Sequence, residues 1–124
     1  MTGALSEAAR QLGKVSRAYE ELANEYRDIA HNAALAESEY RRVKAQTMLR
    51  ATAEGASAAK AEIMADADES VSRLCLSYKI ASALADATRA KLQQLREQVS
   101  VGRSMMVAER ETDRIHAGGA DGSA

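Results

Sequence analysis

Proline, phenylalanine and tryptophan are absent from these 124 residues, and four tyrosines are the only aromatic side chains. Without large aromatic anchors a compact globule is disfavoured, and an extended helical object fits the composition better. A single cysteine, Cys75, excludes an intrachain disulfide. No apolar run approaches the roughly 18 residues expected of a membrane span, and the N-terminus lacks a charged-then-apolar signal segment. The expected setting is therefore soluble and cytoplasmic, with no membrane partner. Charge of neither sign dominates, since 17 basic residues meet 18 acidic ones for a net charge of −1. That balance supplies no overall attraction to phosphate or to an anionic surface, so any nucleic-acid contact has to come from a local patch.

What the chain does contain is one sustained apolar rhythm. Leu5, Leu12, Val15, Tyr19, Leu22, Tyr26, Ile29, Ala33, Ala36, Tyr40 and Val43 recur largely at steps of three and four. The rhythm resumes after Gly55 with Met64, Ala67, Val71, Leu74, Tyr78, Ala81, Ala85, Thr88, Leu92, Leu95, Val99 and Met106. A repeat near 3.5 residues keeps one helix face toward a partner, which is the signature of a coiled-coil seam. The fold class expected is all-α: a long antiparallel helical hairpin spanning residues 1–117, with helix 1 over about 5–51, a turn over about 52–57 and helix 2 over about 58–115. Ser6 is a candidate N-cap for helix 1, Gly55 is suited to a left-handed C-cap, and Ser57 to the next N-cap. Residues 118–124 read as a flexible tail.

Folding the chain about Gly55 pairs positions whose numbers sum to about 109. Arg41, Arg42 and Lys44 then come opposite Asp66, Asp68 and Glu69, a charge match that favours this register. A second stripe lies off the seam. Leu76, Ile80, Ala83, Ala87 and Ala90 repeat on the opposite face of helix 2, and Leu35 lies away from the seam of helix 1. A two-helix unit has little volume in which to hide a second stripe, and exposed apolar patches mark association sites. Leu35, Leu76, Ile80, Ala83 and Ala87 are thus the candidate oligomer interface, for a symmetric dimer or a four-helix bundle of two hairpins.

Residue types that carry chemistry are sparse. His31 and His116 belong to no ligand spacing, Cys75 reads as a packing residue, and no phosphate-binding glycine loop occurs, so no catalytic residue, metal ligand or cofactor is expected. Tyr19, Tyr26, Tyr40 and Tyr78 all fall on the seam, where a phenol needs a partner for its hydroxyl. Their hydroxyls are expected to reach past the seam to water or a charge. Tyr40, beside Arg41, Arg42, Lys44 and Arg50, forms the candidate nucleic-acid-binding cluster, because a ring can stack on an exposed base while cations hold the backbone. The opposing acidic segment can equally neutralise that cluster.

The segment Glu39-Tyr40-Arg41-Arg42-Val43-Lys44-Ala45, then Gly55 and Ser57, then Lys91 to Ser100 running into Ser104-Met105-Met106, resembles small helical-hairpin proteins of tailed phages encoded near recombination and single-strand-binding genes. The likeness covers roughly residues 35–106 and departs from the pattern at Met105-Met106, where a charged extension replaces a short apolar terminus. The resemblance implies an accessory role in phage DNA metabolism, chiefly recombination. Joined to the missing catalytic residues and the outer stripe, it gives the first reading, a non-enzymatic, homo-oligomeric accessory protein of phage DNA recombination or replication in the host cytoplasm. Protein partners would carry that role, with single-stranded DNA as a second candidate partner at Tyr40, Arg41, Arg42 and Lys44. Two other readings stand beside it: a phage counter-defence protein that binds a host defence protein or sequesters a nucleotide signal, and a structural coiled coil.

Overall fold

The computed structural model describes the backbone of residues 2–122 and the side chains of residues 7–118. It is 96% helical, with no strand among the described residues. Three helices follow one another: α1 (Thr2–Ala53), α2 (Ala58–Ala67) and α3 (Glu69–Gly122). They form two compact units, one made of Glu25–Arg89 and the other of Met1–Asn24 with Ala90–Ala124. Ser6 lies inside α1; its side chain and that of Leu5 are outside the described residues. α3 continues as helix through Gly122, beyond position 117 where a tail was expected, and residues 123 and 124 are outside the description.

The Glu25–Arg89 unit contains the chain reversal, and local chemistry explains it. Gly55 has φ 101°, a conformation that a Cβ disfavours. Its N–H donates to Thr52 O at 3.0 Å and the Ala56 N–H donates to Ala51 O at 3.0 Å, so two carbonyls left over at the end of α1 are satisfied as in a Schellman motif. Ser57 then caps α2, its hydroxyl accepting the Lys60 N–H at 3.2 Å. The turn lies where Gly55 and Ser57 placed it.

The returning helix is not continuous, contrary to the single helix 2 expected over about 58–115. Asp68 takes φ −67° and ψ 132°, ends α2, and starts α3 by accepting the Val71 N–H on Oδ1 at 3.0 Å. Glu69 adds a negative charge in the first turn of α3, where the helix dipole favours it. This interruption corrects the seam. Met64 and Ala67 were expected inside but are exposed, while Ala61 and Ala65 are buried completely, because a heptad counted back from Val71 does not survive a non-helical residue at 68. The rest of the core of this unit is Ala51, Val71, Ala85 and Thr88. Thr88 is satisfied within its own helix, donating to Leu84 O at 2.7 Å.

The register also moves. Tyr26 meets Arg89 where folding about Gly55 would place Ala83, and Tyr40 stacks on Tyr78. Nearer the turn, Lys44 still reaches Asp66 at 3.0 Å. The returning chain therefore advances further than α1 between these two levels, and the interruption at Asp68 absorbs the difference. Of the expected basic-acidic match, only the Lys44–Asp66 pair forms. Asp68 is spent as a cap, and Glu69 pairs with Arg73 at 3.0 Å.

In the other unit, α1 and α3 again run antiparallel, with Leu12 against Gly102 and Tyr19 against Arg96. Leu95 is its buried apolar residue, and Leu12, Val15, Leu22, Leu92, Val99 and Met106 are half-buried, as the seam required. A Cβ on Gly102 would lie 3.0 Å from Leu12 Cδ1, so the missing side chain permits the close approach.

Candidate functional site

The cluster of Tyr40, Arg41, Arg42, Lys44 and Arg50 occupies the last turns of α1. Tyr40 is half-buried, with its ring stacked on Tyr78 at 5.7 Å between centroids and 11° between planes. Lys44 Nζ lies 6.0 Å from the Tyr40 ring centroid and binds Asp66 at 3.0 Å, with Glu62 at 3.8 Å. The hydrogen bond to Asp66 raises the Lys44 pKa above its ordinary value, so this amine is held charged and committed. Arg41 donates to Glu37 at 2.9 Å and Arg42 to Glu39 at 2.7 Å. That second bond raises the Arg42 pKa. Arg50 is exposed in the last turn of α1.

Tyr40 and Lys44 are thus brought together, along with Asp66, Val71, Cys75 and Lys79, around a cleft of about 430 Å³. Arg41 and Arg42 point to carboxylates of their own helix. Glu37 and Glu39 are the residues that reading the sequence for a basic cluster missed; the signal was there, since acidic residues three or four positions ahead of an arginine pair with it along a helix. One face of the Tyr40 ring is already taken by Tyr78, which removes it from base stacking. Two of the seam tyrosines do what was expected of them: Arg89 donates to Tyr26 Oη at 3.1 Å and Arg96 to Tyr19 Oη at 3.3 Å.

The outer stripe is exposed along its length. Leu35 retains 56% of its accessible surface, Leu76 60% and Ile80 62%, with Ala83 and Ala87 also exposed. Leu84, at 54%, belongs to the same patch and was missed, although it stands four residues after Ile80. Leu35 lies between Tyr26 and Tyr40, whose partners are Arg89 and Tyr78, so it falls level with the stretch of α3 that carries the stripe.

In the second unit a groove of about 860 Å³ runs along Leu12, Val15, Val101, Gly102 and Met105, with Glu97 and Glu109 among its walls. Among the described residues, no three His, Cys, Asp or Glu side chains gather into a group that could hold a metal ion. His31 and His116 are exposed and Cys75 is half-buried. No described helix is long and apolar enough to cross a membrane. Compared with protein-family models, curated proteins and solved structures, the chain matches none.

Proposed function

We propose that this chain is a non-enzymatic, self-associating accessory protein of phage DNA recombination or replication that acts through protein contacts. One observation supports the association most strongly. In the Glu25–Arg89 unit the buried residues are four alanines, Val71 and Thr88, whereas Leu35, Leu76, Ile80 and Leu84 remain more than half exposed. Burying a Leu or Ile side chain stabilises by about 1.5–3 kcal/mol and an alanine by far less, so the outward face holds apolar side chains whose burial would add substantially to this unit. A second helical surface completes such a face. The place in recombination or replication rests on the resemblance of residues 39–45 and 91–106 to phage helical hairpins.

Single-stranded DNA is the weaker partner in this reading, because Arg41, Arg42 and Lys44 each already hold a carboxylate. Thermal unfolding at several protein concentrations tests the association. Melting temperature should rise with concentration, since mass action stabilises an oligomer; a constant value would overturn it. Titration of labelled oligothymidylate at low salt tests the DNA arm, and the expected result is no binding that Arg41→Glu/Arg42→Glu weakens.

A further inference from the structure

The outer stripe carries enough pattern to name its occupant. Leu76, Ile80, Ala83 and Ala87 recur at steps of four, three and four on α3, so they form one narrow band. Large and small alternate in blocks: two bulky residues, then two alanines. Lys79 and Asp86, one heptad apart, flank the same side of that band. Both are exposed. Lys79 has no carboxylate within ion-pair distance among the described residues, and Asp86 reaches only Arg89, at 3.7 Å.

Two copies packed in parallel and in register would put Lys79 and Asp86 of one copy on the side of the interface opposite those of the other, where these charges cannot pair. They would also set bulky residues on bulky ones and leave alanine facing alanine. Reversing one copy brings the charges to one side and separates the bulky residues, at a single register. Leu76 then faces Ala87 of the second copy and Ile80 faces Ala83, so each bulky side chain meets a small one and the layers interdigitate at even spacing. At that same register Lys79 comes beside Asp86 of the second copy, on both sides of the axis. Leu84 falls level with Ile80 and widens the contact.

We propose that the face of α3 formed by Leu76, Ile80, Ala83 and Ala87 is covered by the same face of a second copy of the chain. The copies run antiparallel about a two-fold axis level with the midpoint between Ile80 and Ala83. This rests on the association reading above and adds its partner, direction and register. The interface is isologous, so each contact occurs twice, and the Lys79–Asp86 pairs act mainly to exclude the parallel and slipped arrangements.

Disulfide trapping decides the geometry, with Cys75→Ser as the background. A disulfide requires Cβ atoms about 4 Å apart. Positions 76 and 87 are about 16 Å apart along one helix, so they cannot be joined within a chain. Leu76→Cys/Ala87→Cys should oxidise to a covalent dimer roughly tenfold faster than either single variant, because residue 76 meets residue 87 of the other copy and never its own equivalent. Rapid dimer formation by Leu76→Cys alone would establish the parallel arrangement and overturn the proposal. Charge reversal gives a second measurement that leaves the apolar band intact. Lys79→Asp or Asp86→Lys alone should weaken dimerisation several-fold, and the two together should restore it. Failure of the double reversal to restore it overturns the register. Light scattering on the reduced background protein separates the two levels: a monomer refutes association itself, whereas a dimer that traps at neither 76/87 nor 76/76 refutes only this geometry.

Discussion

Replacing Asp68 probes the one place where the helical rhythm is broken. Its side chain accepts the Val71 N–H at 3.0 Å, and its carbonyl accepts the Ser72 N–H at 2.9 Å. Asp68→Ala keeps the second bond and deletes the first, leaving an orphan donor at the start of α3 beside Val71, which is only 1% exposed. Loss of an N-cap side chain costs about 1 kcal/mol, within a range of about 0.5–2. For a chain of this length that is a fall in melting temperature of about 3–6 °C. Asp68→Asn retains an acceptor of the same shape and should lie within about 0.5 kcal/mol of the wild type. Alanine also favours helix, so the substitution invites α2 and α3 to fuse and turns Met64 and Ala67 toward the seam in place of Ala61 and Ala65. Fusion strains the packing around Ala61 and Ala65, which are fully buried. Far-ultraviolet circular dichroism during thermal and urea unfolding is the assay. An Asp68→Ala protein as stable as the wild type or more so would refute the reasoning, because it would mean that the continuous helix is as good a ground state as the capped one.

Leu95→Ala should destabilise by about 2–5 kcal/mol, as expected for truncating a buried Leu, while Glu20→Ala should stay within about 0.5 kcal/mol in the same urea titration. Gly55→Ala should cost about 1–2 kcal/mol although no atom lies within 4 Å of the new Cβ, because φ 101° is strained for any L side chain; an unchanged unfolding midpoint would contradict this. Val71→Ala should cost at least about 1.6 kcal/mol, the transfer value of two methyl groups, with more if a cavity remains.

Much of this was legible in the sequence for physical reasons. Gly55 and Ser57 are local signals, each acting within a few residues, so the turn could be placed to within a position or two. The seam from Leu74 onward, and its continuation from Leu12 to Val43, follows from a period that depends only on helix geometry. Asp68 was harder to see: an Asp in a helical run is compatible with an exposed helix position, and its side chain becomes a cap only when the following apolar face has somewhere to pack. Everything counted through Asp68 inherited that error, which is why Met64 and Ala67 changed places with Ala61 and Ala65 and why Tyr26 met Arg89. The basic cluster was legible as composition but not as chemistry. Arg41 and Arg42 were weighed against distant acids across the hairpin, while Glu37 and Glu39 stood one turn away. The outer stripe was legible because exposure of Leu76 and Ile80 follows from their angle to the seam, and only Leu84 on its edge escaped.

The central claim is that this outward face is an interface, and sedimentation equilibrium tests it most directly. At tens of micromolar, a range suited to a modest interface, the wild-type chain of 13.3 kDa should sediment with at least twice its own mass. Leu76→Glu/Ile80→Glu should sediment as a single chain and keep its helical content. A wild type that is already monomeric under these conditions, or a double variant whose mass is unchanged, would contradict the account.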